Sequence, residues 1–225
     1  MPGAPLQFRQ PSLKPFTAII VLTHNALHHT RRMFETIQIT ADADHAVVVV
    51  DNASTDETPG YLYSLLTAQR IHAAALLREN TFFARGNNIG FAMRPGQTTH
   101  VLLLNNDVVF RDPAWLVRLH QAAGDGMAGY GLVSGPDRPD GFCLLVPARV
   151  YAAHGLDEQY PWWYSVSALT AHAMADGVEV TAVRNYGRYL HHAWGGSGPL
   201  PSGMKTPPPP GFASWFSKSS RIVEE

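Results

Sequence analysis

The sequence predicts an α/β fold built on a single, mainly parallel sheet flanked by helices. Segments of strand and helix periodicity alternate from residue 16 to residue 104, which is typical of βαβ units with right-handed crossovers. The four valines at 47–50 indicate a strand that is buried on both faces. Three apolar strands end abruptly in polar residues, as strands of open α/β sheets do beside a ligand crevice.

The predicted elements follow in a regular order. Strands are expected near 16–23, 46–51, 73–77 and 99–104, and helices near 26–39, 58–68 and 84–93. The second helix has two candidate starts, a capping box at Ser54 or Pro59 at the first helical position. Asp112 before Pro113 predicts a further helix, which ends at the Gly-Asp-Gly of 124–126.

The composition fits one such domain. At 225 residues the chain is long enough for one α/β core, and 17 Lys and Arg against 18 Asp and Glu create no strong field for nucleic acid or an anionic membrane. The single Cys143 excludes an internal disulfide and favours a reducing compartment. No segment approaches the roughly 20 apolar residues of a membrane span, and residues 1–16 lack a signal peptide's apolar run. We therefore expect a soluble, cytoplasmic protein.

The run VLLLNNDVVF at 101–110 is an apolar strand that ends in Asn105, Asn106 and Asp107. A carboxylate at the ligand crevice can hold a hard divalent cation against a diphosphate. The same residues also fit a strand that enters an Asx-turn, because Asn and Asp form such turns through local hydrogen bonds.

The valine-rich strand ends at Asp51, which is followed by Asn52, Ser54 and Asp56 before helical periodicity begins. Helix capping accounts for Ser54 but not for Asp51, a charge at the mouth of a buried strand. Ribose hydroxyls or a base imide would give this carboxylate partners. The segment therefore predicts a nucleoside site.

Polar residues are also dense in the segment 76–93, which contains the third predicted helix, where Asn80, Arg85 and Asn87 accompany two glycines. Gly86 and Gly90 lie four apart on one helical face, where each costs about 1 kcal/mol relative to Ala, so something must approach closely. A neighbouring strand is one candidate. A nucleotide is the other, and Arg85 and the amides would then bind a diphosphate or sugar.

These segments, in this order and spacing, resemble the family 2 glycosyltransferases of the GT-A fold, especially the rhamnosyltransferase-like bacterial members. The matching stretches are 17–25, 48–58, 76–92, 102–110 and 141–158. The resemblance implies a Rossmann-like sheet and a nucleoside-diphosphate sugar donor, linked to UDP, GDP or dTDP. It also implies Mn²⁺ or Mg²⁺ at Asp107, the last residue of a DXD-like motif.

The resemblance and the polar segments together define a set of candidate site residues. Thr23, Asn25 and Asp51 would surround the base and ribose, and Asp157 and Glu158 would lie near the acceptor. The full predicted nucleotide-sugar site comprises Thr23, Asn25, Asp51, Asn52, Ser54, Asn80, Arg85, Gly86, Asn87, Asn105 and Asn106.

The chain departs from the family pattern where an acidic Glu-Asp pair usually carries the acceptor-side base. The aligned positions hold Ser165 and Val166. Three explanations compete: Asp157 or Glu158 substitutes as the base, the chain is inactive, or the acceptor needs little deprotonation. We favour the first, and expect Ser165 to be a safer site than Val166 for restoring a carboxylate, because Val166 fits a core-facing position.

Aromatic and histidine residues complete the predicted site. The aromatic side chains of 162–164 are either an acceptor platform or core residues; they are Trp162, Trp163 and Tyr164. His191 and His192 should point to opposite faces of a strand, and we choose His192 as the second metal ligand. The following backbone at Gly195, Gly196 and Ser197 is a candidate phosphate contact.

We divide the chain into an N-terminal extension at 1–15, a glycosyltransferase domain at 16–198 and a C-terminal arm at 199–225. The domain comprises a nucleotide-sugar half, 16–110, and an acceptor half, 111–198. Four prolines at 207–210 favour polyproline II in the arm. The arm would bring its aromatic residues back onto a surface as a lid or as a contact in a homo-oligomer; they are Phe212, Trp215 and Phe216.

The sequence thus predicts a metal-dependent, inverting glycosyltransferase with an unidentified acceptor. A non-catalytic nucleotide-sugar binding module is the alternative, because the acidic pair is missing. A nucleotidyltransferase of similar fold is disfavoured, since no Gly-rich loop with Arg and Lys follows the first strand.

Overall fold

The computed structural model describes residues 14–37, 43–133, 138–162, 164–193, 209–215 and 220–224. Its strands are β1 (Thr17–Thr23), β2 (His45–Asp51), β3 (Ala73–Leu76), β4 (His100–Asn105), β5 (Val108–Phe110), β6 (Met127–Tyr130), β7 (Leu132–Val133), β8 (Arg138–Pro139), β9 (Cys143–Pro147), β10 (Val180–Arg184), β11 (Leu190–His192) and β12 (Arg221–Glu224). Its α-helices are α1 (Leu27–Ile37), α2 (Thr58–Thr67), α3 (Phe82–Ala92), α4 (Trp115–Ala123), α5 (Ala148–His154) and α6 (Ser165–Ala175). None of the helices in these ranges is long and apolar enough to cross a membrane.

Eight of the strands form one sheet in the order β12-β10-β6-β9-β4-β1-β2-β3. All of its pairs are parallel except those of β9, which runs antiparallel to both β4 and β6. Two short ribbons, β11 with β5 and β7 with β8, lie beside this sheet. The predicted fold class, an α/β fold with a mainly parallel sheet flanked by helices, is confirmed.

Two hydrophobic clusters bury the sheet on both faces. Ile19 and Val21 of β1 pack in a cluster with α1, α2 and α4, whereas Ile20 packs in a second cluster with α3, α5 and α6. Each fully buried aliphatic side chain stabilises the fold by about 1.5–3 kcal/mol. Burial on two faces therefore explains why the strands read as continuous apolar runs.

The start of α2 distinguishes between the two predicted starts. The helix begins at Thr58 with Pro59 in its first turn. The hydroxyl of Ser54 instead donates to the carboxylate of Asp51, so the capping box does not form.

The two glycines of α3 lie against β1. A Cβ atom at Gly86 would overlap the side chain of Leu22, and one at Gly90 would overlap that of Ile20. The neighbouring strand β1 therefore approaches both glycines closely, as one of the two alternatives predicted. Helix–sheet packing thus accounts for Gly86, and its contact with the nucleotide sugar stays a prediction.

The C-terminal residues return to the main sheet. β12 pairs in parallel with β10, with Arg221 opposite Thr181 and Val223 opposite Val183. These residues lie beyond position 198, where the sequence analysis ended the domain. Part of the predicted arm thus forms an edge strand.

Candidate functional site

The loops after β1, β2 and β4 lie at the carboxyl edge of the sheet. The amide of Asn52 donates to the carbonyl of Thr23 across the ends of β2 and β1 (2.8 Å). The amide of Asn25 donates to the hydroxyl of Ser54 (2.7 Å). These bonds join residues from separate polar segments into one cluster at the crevice, where ligands of open α/β sheets bind.

The backbone at this edge is strained. Asn25, Ala26, Ala53 and Phe82 have φ angles of 55°, 57°, 59° and 61°. A left-handed conformation costs a non-glycine residue about 1–3 kcal/mol and is concentrated at binding and active sites. The strain supports a functional role for these loops.

Asp51 is buried beneath the loop between β2 and α2, with 1% of its surface exposed. Its carboxylate accepts hydrogen bonds from the Ser54 hydroxyl and from the Ser54 amide (3.1 Å). Burial raises the pKa of Asp51 above its ordinary value, although both bonds from Ser54 act in the opposite direction. Asp51 therefore supports Ser54, and its contact with a nucleoside stays a prediction.

Asp56 links the starts of two helices. Its carboxylate accepts from the amide of Leu27, which opens α1 (3.1 Å), and from the amide of Thr58, which opens α2 (3.0 Å). Burial pushes the pKa of Asp56 upward, but the hydrogen bonds from Thr58 and Leu27 prevail and leave the pKa below its ordinary value. A carboxylate at helix N-termini is also stabilised by the helix dipole.

Asn52 connects β2 to the start of α3. Its buried side-chain oxygen accepts from the amide (3.1 Å) and hydroxyl (2.8 Å) of Thr81, and its nitrogen donates to the carbonyl of Phe82 (3.1 Å). These partners occupy the amide within the fold. The side chain of Asn52 thus supports α3, and its contact with the donor stays a prediction.

We expect Asn52→Ala to lower the free energy of unfolding by about 2–4 kcal/mol, because partly buried groups of Thr81 and Phe82 lose their three hydrogen bonds to the buried amide. Chemical denaturation followed by circular dichroism measures this. Thr67→Ala, at an exposed position of α2, should change the same quantity by less than about 0.5 kcal/mol. If Asn52→Ala keeps its stability but loses nucleotide affinity, Asn52 contacts the donor and does not chiefly support α3.

Three further predicted donor residues lie at or near α3. The side-chain oxygen of Asn80 accepts from the amide of Phe82 (2.8 Å), which forms an Asx-turn. Asn87 is buried and donates to the carbonyl of Phe83 one turn earlier (2.8 Å). Both amides thus have local structural partners, whereas Arg85 is exposed to solvent.

Thr23 and Asn106 belong to a buried polar cluster with Thr30 of α1. The amide nitrogen of Asn106 donates to the hydroxyls of Thr30 (3.0 Å) and Thr23 (3.3 Å), which also bond each other (3.1 Å). All three residues are at most 3% exposed. The cluster fixes the end of β4 against β1 and α1, and a donor contact by Thr23 or Asn106 stays a prediction.

Asp107 and His192 meet just beyond the end of β4. Nε2 of His192 lies 3.1 Å from Oδ1 of Asp107 and 3.4 Å from the side-chain nitrogen of Asn105. Asp107 is 4% exposed and His192 is 5% exposed. His191 is exposed, in keeping with the strand alternation. The turn after β4 and the ribbon of β5 and β11 thus bring together the two predicted metal ligands.

This pair offers a carboxylate oxygen and an imidazole nitrogen to a cation. Mn²⁺ accepts both donor types, and Mg²⁺ is commonly held by one or two carboxylates together with substrate phosphates. Within the described part of the chain, no group of three His, Cys, Asp or Glu side chains could hold a metal ion. The pair therefore fits an ion whose other ligands come from a diphosphate and water.

The two predicted bases lie in the loop between α5 and α6. The carboxylate of Asp157 accepts from the amide of Gln159 (2.9 Å) in a local turn. Glu158 is exposed and accepts from the amide nitrogen of Asn88 on α3 (3.0 Å). Asn88 also accepts from the hydroxyl of Tyr151 (2.9 Å). Glu158 thus joins this loop to α3, whereas Asp157 bonds within the loop, and the role of either as the base stays a prediction.

Aromatic side chains surround the start of α6. The ring centroids of Tyr164 and Phe212 are 5.0 Å apart, and those of Tyr160 and Trp215 are 5.8 Å apart. Trp162 is partly buried. The arm therefore contacts the predicted acceptor side, and the choice between platform and core stays open. Four residues of the predicted site lie outside the described residues: Trp163, Gly195, Gly196 and Ser197.

The missing acidic pair falls at the first turn of α6. Ser165 is fully buried, and its hydroxyl has no hydrogen-bond partner among the described residues. Val166 is only partly buried. The expectation that Ser165 is the safer site for a carboxylate is therefore wrong, because a charge there would be buried without a partner.

Two charged residues that the sequence analysis passed over lie beside this site. Arg138 is buried and donates to the hydroxyl of Ser167 on α6 (3.0 Å). Burial lowers the pKa of Arg138, and the charge of Asp140 acts against this effect. A single charge in a loop rich in Gly and Pro has no periodic signal. Only the antiparallel insertion of β9 brings these residues to the carboxyl edge.

The fold and this edge define the class of the protein as a glycosyltransferase of the GT-A type. The chain belongs to glycosyl transferase family 2, whose family description matches residues 18–149. No curated protein gave a significant match to the chain.

Several solved structures have a similar fold. A mannosyltransferase from Pyrobaculum calidifontis, PcManGT in complex with GDP-Man and Mn²⁺, aligns with a TM-score of 0.63 at 17% identity, over 76% of this chain and 57% of that one. TarS 1-349 from S. aureus aligns with 0.55 at 14% identity, over 70% and 54%. Glucosyl-3-phosphoglycerate synthase from M. tuberculosis aligns with 0.55 at 13% identity, over 72% and 66%. The chain thus spans between about half and two thirds of these relatives.

Proposed function

We propose that the chain is a metal-dependent, inverting glycosyltransferase that moves a sugar from a nucleoside-diphosphate sugar to an acceptor. The observation that carries this proposal is the pairing of Asp107 with His192 at the carboxyl edge (3.1 Å). The end of β1 adjoins that pair through the hydrogen bond of Asn106 to Thr23, and the Asn52 amide after β2 donates to the Thr23 carbonyl. Support also comes from the similar fold of PcManGT, a mannosyltransferase solved with GDP-Man and Mn²⁺.

The residues have separate roles in this proposal. Asp107 and His192 would hold Mn²⁺ or Mg²⁺, which acts as a Lewis acid on the donor diphosphate and offsets charge on the leaving group. The loops that contain Asn25 and Ser54 would bind the base and ribose, and the exposed Arg85 would bind a phosphate or the sugar. The aromatic residues at the start of α6 would face the acceptor.

A second candidate function is a nucleotide-sugar binding module without transfer activity. It is favoured by one observation: Ser165 and Val166 replace the acidic pair at the start of α6, and neither can accept a proton as a carboxylate does. The two functions differ in turnover but not in donor binding. Three finer predictions also await tests: the rhamnosyltransferase-like subtype, action in the cytoplasm, and a homo-oligomer through the C-terminal arm.

Calorimetry with UDP, GDP and dTDP, each with and without Mn²⁺, tests the proposal. We expect one nucleotide to bind, and its affinity to depend on the ion. Release of that nucleotide from its sugar conjugate, with water as acceptor, then separates an enzyme from a binding module. Absence of binding by all three nucleotides in the presence of Mn²⁺ or Mg²⁺ would contradict the proposal.

We expect Asp51→Ala to weaken binding of the matching nucleoside without metal by about 1.5–3 kcal/mol, the cost of a lost charged hydrogen bond. Titration calorimetry measures this affinity. Ser54→Ala is the matched variant: it should reproduce the loss if Asp51 acts by holding Ser54, and should leave affinity unchanged if Asp51 binds the nucleoside directly. If Asp51→Ala weakens only the binding of metal-bound diphosphate, the assignment of Asp51 to the nucleoside is wrong.

A further inference from the structure

We propose that Asp140, in the loop between β8 and β9, is the base that deprotonates the acceptor. This inference rests on the proposed function, since only a transferase needs such a group. In the transfer, an acceptor hydroxyl forms a bond to the anomeric carbon and gives its proton to the Asp140 carboxylate. The bond from that carbon to the diphosphate breaks, and its electron pair leaves with the phosphate oxygen. Atoms and charge balance without a further reactant.

The position of Asp140 carries the proposal. Its carboxylate accepts from the amide of Phe142 (3.3 Å), and the carbonyl of Phe142 accepts from the amide of Asn105 at the end of β4 (2.9 Å). The ring of Phe142 stacks on the ring of His192, with centroids 4.3 Å apart and planes 17° apart. Asp140 is thus two residues from Phe142, whose ring stacks on His192 of the candidate metal pair.

The same loop contacts the start of α6. A Cβ atom at Gly141 would lie 2.8 Å from a methyl group of Val166, so the loop backbone packs closely against this side chain. Asp140 is the neighbour of Gly141 in the chain. The loop that carries Asp140 therefore contacts His192 of the candidate metal pair through Phe142 and the first turn of α6 through Gly141. An acceptor hydroxyl that approaches the donor between these two contacts would come near this loop.

The other carboxylates of the described acceptor half are engaged elsewhere. Asp112 accepts from the amide of Ala114 before α4, and Asp125 lies at the opposite edge of the sheet beside Arg149. The exposed Asp176 and Glu179 pair with His154 and Arg221 respectively. Asp157 and Glu158 hold the loop between α5 and α6.

Arg138 and Tyr186 are electrostatic neighbours of Asp140. The guanidinium of Arg138, two residues earlier, interacts electrostatically with it, and Arg138 is anchored to Ser167 of α6. Burial raises the pKa of Tyr186, and the charge of Asp140 adds to that increase. One positive charge and a neutral phenol thus face the carboxylate from β8 and from the turn after β10.

The test compares Asp140→Asn with Asp140→Glu and with Asp125→Asn, an exposed carboxylate at the opposite edge. The assay measures release of UDP, GDP or dTDP from their sugar conjugates with Mn²⁺ and water as acceptor, with calorimetry for nucleotide affinity and thermal melting for the fold. We expect Asp140→Asn to lower kcat by roughly 10² to 10⁴ with unchanged donor KM. Asp140→Glu should recover part of this loss, and Asp125→Asn should behave as the parent.

Each other outcome has a distinct meaning. Unchanged turnover in Asp140→Asn, or a loss of donor affinity equal to the loss of turnover, would overturn the base assignment. A parent protein that binds nucleotide but releases none would overturn it too, in favour of the binding module. If Asp140→Asn does not fold, turnover of Asp140→Glu equal to that of a folded Asp140→Ser variant overturns the inference. A parent that binds no nucleotide refutes the proposed function itself.

Discussion

Replacing Asp107 with alanine should abolish Mn²⁺-dependent binding of the nucleoside diphosphate and leave the fold intact. The carboxylate contacts His192 at the edge of the sheet and belongs to neither hydrophobic cluster. Its removal takes away a charged ligand, and Lewis-acid stabilisation of a leaving group is worth several kcal/mol of transition-state energy. Calorimetry with the nucleotide, with and without Mn²⁺, measures the loss.

Two matched variants make this result specific. His192→Ala removes the imidazole but keeps the carboxylate, so we expect weaker Mn²⁺ dependence rather than its loss. Asp176→Asn removes an exposed carboxylate that pairs only with His154 at the surface, and should bind as the parent does. If Asp107→Ala keeps its ion-dependent affinity, the metal assignment is wrong. If its thermal midpoint falls together with its affinity, Asp107 has a structural role.

The strands and helices of the nucleotide-sugar half could be predicted because their signals are local. The valine run of β2 and the apolar run of β4 identify buried strands from residue type alone, and the observed β2 (His45–Asp51) agrees closely with the predicted 46–51. The turn residues between them mark the helix starts. The sequence also reports where each strand ends, which is why Asp107 could be placed at the edge.

The roles of the polar residues at that edge could not be predicted in the same way. A buried amide that holds a helix and an amide that binds a sugar have the same sequence signal, and the structure shows only that Asn52 does the first. The two glycines of α3 were equally ambiguous, because the sequence shows close approach but not what approaches. Only tertiary contacts distinguish these cases.

Local sequence patterns could not predict the residues that distant segments bring to the sheet and to its carboxyl edge. β12 follows a run of prolines, and its four residues pair with β10 some forty positions earlier in the chain. Asp140 reaches the edge only because β9 is inserted antiparallel between β4 and β6. Such long-range pairings depend on the whole sheet, so one strand's sequence does not report them.

Deleting residues 199–225 should leave a folded domain of markedly lower stability. Among the described residues, those of both hydrophobic clusters lie between positions 19 and 190, so we expect the core to form without the tail. The deletion removes the β12 ladder and the hydrogen bonds of Arg221 to Thr181 (3.1 Å) and to the carbonyl of Ala122 (2.7 Å). At about 0.5–1.5 kcal/mol for each hydrogen bond and each aromatic pair, the loss should reach about 3–5 kcal/mol.

A loss of this size should lower the thermal midpoint by about 10 °C in a domain of this length. The double variant Phe212→Ala with Trp215→Ala keeps β12 and removes the aromatic contacts with Tyr164 and Tyr160, together with the contact between the Phe212 ring and the guanidinium of Arg138. We expect it to lose about 1–3 kcal/mol, since each aromatic pair contributes about 0.5–1.5 kcal/mol. Size-exclusion chromatography on both proteins tests the predicted oligomer. An unchanged midpoint after the deletion would show that the tail does not dock in solution, whereas an insoluble product would show that the core needs its edge strand.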